Sequence, residues 1–76
     1  MCLGVPMQII EIADDSVIAE IDGVRREASL LMLGEPVQVG DYVIVHAGFA
    51  IARIDPVEAE ETLRMMREIF NPEDMA

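Results

Sequence analysis

The first two-thirds of the chain alternates short apolar runs with turn-forming residues, which predicts a series of short β-strands. Several of these runs are rich in Val and Ile, the β-branched residues that favour strands. The predicted strands cover residues 7–13, 16–21, 24–30, 42–47 and 49–54. Five short strands separated by turn signals favour a small closed or nearly closed barrel.

The strongest turn signal is the dipeptide Asp22-Gly23, between the second and third predicted strands. It favours a two-residue type I′ turn, in which both residues have positive φ. Asp14 and Asp15 predict an earlier turn, and residues 33–36 (LGEP) interrupt the pattern after the third strand. The second and third strands are therefore expected to form a hairpin.

A helix is predicted over residues 55–71. Asp55 fits the N-cap position, and Pro56 fits the first helical position, where proline is favoured. The apolar residues recur at helical spacing and form one stripe, which comprises Ala59, Leu63, Met66 and Phe70. Both faces of residues 42–54 are rich in apolar side chains, so we expect the barrel interior to cover one face and this stripe the other.

These elements predict a mainly β fold, in which a small five-stranded barrel is followed by a C-terminal α-helix. Residues 1–76 are expected to form a single domain. Within it, residues 1–6 are expected to be a flexible segment that carries a cysteine, residues 7–54 the barrel, residues 55–71 the helix and residues 72–76 a tail.

The charge balance is strongly acidic, with 15 Asp and Glu against 5 Arg and a net charge of −10. Binding to nucleic acid or to an anionic membrane surface requires concentrated positive charge, so neither partner is expected. No apolar run reaches the roughly 20 residues of a membrane span. Residues 1–6 lack the basic residues of a secretory signal, so the expected location is the cytoplasm.

The sharpest candidate for chemistry is Cys2, the only cysteine in the sequence. If Met1 is removed, the Cys2 thiolate and its free amine can chelate one metal, and the protonated amine favours the thiolate. Thiolate ligands suit iron and copper(I). One cysteine cannot fill a coordination sphere, so a partner or an already ligated metal must complete it. The alternative is an inert, partly buried thiol, which is the commoner state of a lone cysteine.

The other reactive side chains are few, and no catalytic constellation or phosphate-binding loop can be read from the sequence. A non-enzymatic function is therefore expected. His46, the only histidine, lies late in the fourth predicted strand. Such a residue is either a hydrogen-bonded packing residue or a ligand or proton carrier, and spacing alone leaves both open.

Two segments, residues 1–6 (MCLGVP) and residues 40–51 (GDYVIVHAGFAI), resemble the two signatures of the HypC/HupF/HybG-type [NiFe]-hydrogenase maturation chaperones. The Asp22-Gly23 hairpin and the helix after Asp55 also fit that family, so the resemblance covers about residues 1–70. It implies an OB-like barrel with a C-terminal helical part. An OB-like barrel often binds oligonucleotides, but the net charge of −10 argues against this here.

The resemblance also implies a role in metal-centre assembly. Proteins of this family work with a HypD-type scaffold protein, on which an iron carrying cyanide and carbon monoxide, the Fe(CN)2CO unit, is built. They then deliver that unit to the precursor of the hydrogenase large subunit. Cys2 matches the essential N-terminal cysteine of the family and is expected to contact iron, and His46 matches a family histidine that is a possible iron contact. The residues expected to bind the partners are Cys2, Leu3, Gly4, Val5 and Pro6.

The sequence also allows two alternatives to an iron carrier. The chain could be a purely protein-binding adaptor that stabilises the precursor without ligating metal. A stand-alone thiol-transfer protein is disfavoured, because such proteins usually need one attacking and one resolving cysteine. The connection over residues 31–39 is shorter than in some members of the family, so any partner preference carried by that segment is not implied here.

Overall fold

The computed structural model describes residues 4–69 of the chain. Its elements, in chain order, are β1 (Val5–Ala13), β2 (Ser16–Ile21), β3 (Val24–Ser29), β4 (Tyr42–His46), β5 (Phe49–Ile54) and α1 (Pro56–Ile69). The strands form a closed barrel in the order β1-β2-β3-β5-β4. The predicted fold, a mainly β five-stranded barrel with a C-terminal helix, is confirmed.

Strand β1 begins at Val5, two residues earlier than predicted, and pairs with both of its neighbours. Its first part, from Val5 to Gln8, runs antiparallel to β4, and Pro6 lies opposite Ile44. From Gln8 to Ala13 it pairs with β2, with a register shift between Ile9 and Glu11. Such an irregularity bends a strand and increases its twist, which allows β1 to serve both sides of a small barrel.

Two of the turns between strands contain residues with positive φ. Asp22 and Gly23 have φ values of 49° and 84°, which confirms the predicted turn between β2 and β3. The turn between β4 and β5 has the same pattern, with φ of 53° at Ala47 and 83° at Gly48. The sequence placed Ala47 in the strand, which is wrong, because this two-residue turn requires it. An alanine at positive φ costs about 1 kcal/mol.

The barrel interior is filled by small and branched apolar side chains. Met7, Ile9, Ala19, Val43 and Ala50 are completely buried. Three partly buried residues of the connection between β3 and β4, Leu30, Leu33 and Val37, pack against this core. No described polar or charged side chain is buried, so the core is held by apolar packing alone.

Helix α1 is capped as predicted, because Asp55 Oδ1 accepts a hydrogen bond of 2.7 Å from the Val57 amide. Ala59, Leu63 and Met66 are buried, which confirms three members of the predicted stripe. The predicted fourth member, Phe70, and the predicted tail lie outside the described residues.

The position of α1 differs from the expectation. The helix packs mainly against β1 and does not cover the outer face of β4, where Tyr42, Ile44 and His46 remain half-buried. The Arg67 guanidinium, near the end of the helix, donates a hydrogen bond of 2.7 Å to Asp22 in the turn between β2 and β3.

The helix is expected to stabilise the barrel through Leu63, which is 2% exposed and belongs to the main core. Leu63→Ala should lower the free energy of unfolding by about 2–5 kcal/mol, because it removes buried apolar atoms and leaves a cavity. Met65, on the same helix, is 59% exposed, so Met65→Ala should change stability by less than about 0.5 kcal/mol. Urea unfolding followed by circular dichroism measures both variants. Equal losses would contradict the packing described here.

A second prediction concerns Gly4, whose backbone lies directly against the Ile44 side chain, so that an added Cβ would overlap Ile44 Cγ2. Gly4→Ala should destabilise the protein by about 1–3 kcal/mol, because either β4 or the incoming chain must shift. Gly34 provides the control, since a Cβ there meets open space. Thermal unfolding of Gly4→Ala and Gly34→Ala compares the two, and similar melting temperatures would contradict the close approach at Gly4.

Candidate functional site

The chain enters the barrel beside the turn between β4 and β5. Val5 pairs with Val45, the residue before His46, and Gly4 lies against Ile44 and near the Val45 carbonyl. Because Gly4 has no side chain, its backbone can approach β4 more closely than any other residue could. The point at which residues 1–3 join the barrel is therefore fixed next to this turn.

Cys2 and Leu3, two of the predicted site residues, lie outside the described residues. Cys2 lies two residues before Gly4 in the sequence, and its contact with iron stays a prediction.

His46, the other predicted iron contact, lies at the end of the barrel that carries the turn between β4 and β5. It is the last residue of β4, is half-buried, and pairs across the turn with Phe49. No side-chain hydrogen bond joins its imidazole to another described residue. The interpretation of His46 as a hydrogen-bonded packing residue therefore finds no support in these contacts. The structure brings His46 close to the place where the Cys2 segment joins the barrel.

Val5 and Pro6 have a different position from the one predicted. Both belong to β1, and their exposed fractions are 1% and below 2%. Their side chains therefore pack within the protein and anchor the segment that precedes them. Val5 and Pro6 therefore belong to the barrel and not to the flexible segment expected for residues 1–6, because the pairing with β4 begins at Val5. Their role in partner binding stays a prediction.

Three exposed apolar side chains near this end were missed by the sequence reasoning. Leu31 is 73% exposed, Met32 is 65% exposed and Phe49 is 38% exposed. Ser29, two residues before Leu31, pairs with Phe49 where the barrel closes between β3 and β5. The sequence did contain an indication of such an apolar surface, since residues 28–34 and 42–52 include no charged residue.

The ion pairs among the described residues join side chains that remain partly exposed. Arg25 pairs with Glu20 on the hairpin of β2 and β3, and Arg53 pairs with Glu35 near the far end of β5. A shallow cleft of about 220 Å³ beside Arg53 is also at that far end and is smaller than typical ligand pockets. The hydrogen bond to Asp22 raises the pKa of Arg67 above its ordinary value. These exposed pairs contribute little to stability.

Within residues 4–69, no group of three His, Cys, Asp or Glu side chains is arranged to hold a metal ion. Any metal at this end would therefore be held by Cys2, by His46 or by ligands that come from elsewhere. The described part of the chain also has no helix with the length and apolar character needed to cross a membrane.

Comparison with known proteins identifies the relatives of this chain. The HupF/HypC family matches residues 1–66, a range that includes Cys2, Gly4 and His46. The hydrogenase maturation factor HypC of Cupriavidus necator is 49% identical over 70 residues, which cover 91% of this chain and 77% of that protein.

Two further relatives carry the same name. HypC of Rhizobium leguminosarum bv. viciae is 45% identical over 69 residues, covering 90% of this chain and 91% of the relative. HypC of Helicobacter hepaticus is 41% identical over 71 residues, covering 92% of this chain and 83% of the relative. The match of the family over nearly the whole chain, together with relatives of this similarity, shows that this protein belongs to the HupF/HypC family.

Proposed function

We propose that this protein is a non-enzymatic hydrogenase maturation chaperone that carries an iron unit between two partner proteins. The observation that carries the proposal is the match of the HupF/HypC family over residues 1–66, which includes the lone Cys2. Relatives that are 41–49% identical are named hydrogenase maturation factors. The donor in this proposal is a HypD-type scaffold protein, the cargo is the Fe(CN)2CO unit, and the acceptor is the precursor of the [NiFe]-hydrogenase large subunit.

The arrangement of the barrel supports Cys2 as the point of contact with the cargo. The close approach of Gly4 to Ile44 fixes the point at which residues 1–3 join the barrel, and Cys2 is only two residues before Gly4 in the sequence. A thiol so close in sequence to the barrel can reach a metal held on a partner surface without unfolding the barrel. His46, the only histidine in the chain, is the last residue of β4, and its neighbour Val45 pairs with Val5.

The transfer that we propose is an exchange of thiolate ligands on iron. The Cys2 thiolate forms a bond to iron as the bond from iron to a scaffold thiolate breaks, and the scaffold cysteine departs as a thiolate. The reverse exchange, with a cysteine of the precursor as the incoming ligand, releases the cargo. The oxidation state of iron does not change in either step, so no external oxidant or reductant is needed. Thiolate is a suitable ligand for such a carrier because it binds iron well.

Because the described residues offer no group of three metal ligands, the remaining ligands of the iron must come from the cargo itself or from the partner. This explains how a barrel with so few metal-binding side chains can take part in the assembly of a metal centre. It also predicts that stable iron loading depends on the presence of the scaffold protein.

The central prediction concerns Cys2. Replacement by alanine should abolish the transfer of iron to this protein, because the incoming thiolate is lost. The measurement uses the chain co-expressed with the scaffold protein, with the iron content and the infrared bands of cyanide and carbon monoxide recorded for the purified complex and for the chain separated from it. Cys2→Ser is the size-matched control, and it should also fail because a hydroxyl is a poor ligand for iron.

The same experiment distinguishes the adaptor, the main alternative. If the protein only stabilises the precursor, Cys2→Ala should leave both the iron content and the infrared bands unchanged, and hydrogenase maturation should proceed. That result would rule out the carrier mechanism while leaving membership of the family intact.

A second prediction separates the two roles considered for His46. His46→Gln keeps a polar side chain of similar size but removes the imidazole that can bind metal or move a proton. We expect the iron unit recovered on this protein to fall about tenfold, as is typical for the loss of a group that supports a metal ligand. The melting temperature should stay unchanged, because the imidazole forms no side-chain hydrogen bond with the described residues. A lower melting temperature with full iron loading would show that the role of His46 is structural.

A further inference from the structure

The turn between β4 and β5 places two side chains with rings opposite each other. His46 ends β4, Phe49 begins β5, and the two residues are direct partners across the turn. Residues that lie opposite each other in an antiparallel pair project from the same face, with Cβ atoms about 4.5–5.5 Å apart. The imidazole of His46 and the phenyl ring of Phe49 are therefore nearest neighbours across the two strands.

The burial of the adjacent pair shows which face of the barrel the two rings occupy. Val45 and Ala50 are direct partners, and both are buried in the core. Because successive residues of a strand point to opposite faces, His46 and Phe49 lie on the outer face. His46 is nevertheless half-buried, and Phe49 is only 38% exposed. Rings on an outer surface beside a turn are partly buried only if they have close neighbours, and each of these rings lies opposite the other.

The backbone beneath the two rings is held by both neighbouring strands. Within the turn, Ala47 and Gly48 have positive φ values of 53° and 83°, which is the conformation of a tight two-residue connection. The Gly48 carbonyl accepts a hydrogen bond of 2.9 Å from the Ser29 amide, and Phe49 pairs with Ser29 of β3. The position of Phe49 relative to His46 is therefore fixed by β4 on one side and by β3 on the other.

An imidazole that works on a metal has to be held in one orientation. A hydrogen bond from its second ring nitrogen usually does this. The imidazole of His46 has no side-chain hydrogen bond with any residue of the range 4–69. The nearby Ser29 hydroxyl is already used, since its Oγ accepts a bond of 3.1 Å from the Leu31 amide. Packing against an aromatic ring can hold the imidazole instead, because the ring excludes the rotamers that would overlap it.

We propose that Phe49 is a positioning residue for the transfer of iron, because its ring packs against the imidazole of His46 and holds it in one orientation. This inference rests on the proposed function, in which His46 takes part in the loading of iron. Two rings in contact favour an offset-stacked or an edge-to-face arrangement, and either one restricts the rotation of the imidazole. The chemistry belongs to the imidazole, and Phe49 acts only through it.

The first test observes the two rings in the free chain by nuclear magnetic resonance. His46 is the only histidine, so its carbon-bound ring protons can be assigned without ambiguity. In the unsubstituted chain we expect a nuclear Overhauser effect between these protons and the ring protons of Phe49. Phe49→Tyr should keep this contact, whereas Phe49→Leu should shift the imidazole signals because the ring current of the phenyl group is lost. The Overhauser contact requires no variant, so it tests the proposal even if a replacement unfolds the chain.

The second test asks whether Phe49 acts through His46. The iron unit recovered on this protein after co-expression with the scaffold protein is compared for Phe49→Leu, His46→Gln and the double variant. Phe49→Leu alone should lower the recovery about fivefold, which is within the range expected for the loss of one aromatic pair. In the His46→Gln background it should cause no further loss, because no imidazole is left to be positioned. Phe49→Tyr should restore full recovery.

Tyr42→Leu is the matched control, since it also replaces an aromatic ring on the outer face of β4 or β5 by leucine. Tyr42 lies opposite Gln8 on β1 and Ile54 on β5, away from His46. This variant should change neither the position of the imidazole signals nor the recovery of iron. Equal effects of Tyr42→Leu and Phe49→Leu would overturn the proposal, because the loss would then follow from any aromatic ring of this sheet.

Failure of this proposal can be told apart from failure of the carrier function. The absence of an Overhauser contact between the rings, or additive losses in the double variant, would overturn the positioning role while iron loading still depends on Cys2. If Cys2→Ala leaves iron loading unchanged but Phe49→Leu still lowers it through His46, the carrier mechanism fails and the positioning role stands.

Discussion

Strand β1 pairs with β4 through its first four residues and with β2 from Gln8 onward, and its register against β2 shifts between Ile9 and Glu11. A closed barrel of five short strands needs strongly bent and twisted strands, and the irregularity in β1 provides such a bend. Its pairing with β4 starts at Val5, and the contact of Gly4 with Ile44 immediately precedes it. The geometry that closes the barrel therefore also fixes the base of the segment that carries Cys2. Disturbing the start of β1 would affect stability and the position of the thiol together.

Closure of the barrel also brings two uncharged parts of the chain together. The single pair between Ser29 and Phe49 joins β3 to β5 and brings an uncharged stretch from the middle of the chain next to the turn between β4 and β5. Arg25, Arg53 and Arg67 form exposed ion pairs. Leu31, Met32 and Phe49, which follow or lie beside this pair, are exposed apolar residues in uncharged parts of the chain.

Much of the fold could be predicted from local patterns. The alternation of apolar residues gave the strands, Asp22-Gly23 gave a turn with both φ values positive, and Asp55 gave the N-cap of α1. These features depend on neighbouring residues, whose preferences act over a few bonds. One wrong prediction was local, since Ala47 was placed in a strand but belongs to the two-residue turn. Another depended on distant residues. Val5 and Pro6 were placed in a flexible segment, and only the pairing with β4 shows that they are buried.

For the candidate site, the sequence determined which reactive side chains are present, and the tertiary structure decided where the described ones lie. A lone cysteine at residue 2, a single histidine at residue 46 and the resemblance to a family are properties of the linear chain. That His46 lies at the same end of the barrel as the Cys2 segment depends on the register of β1 against β4. The pairing between β3 and β5 brings Leu31 and Met32 towards the end that carries Phe49. Register and closure are set by the simultaneous packing of residues far apart in the sequence, so no local pattern contains them.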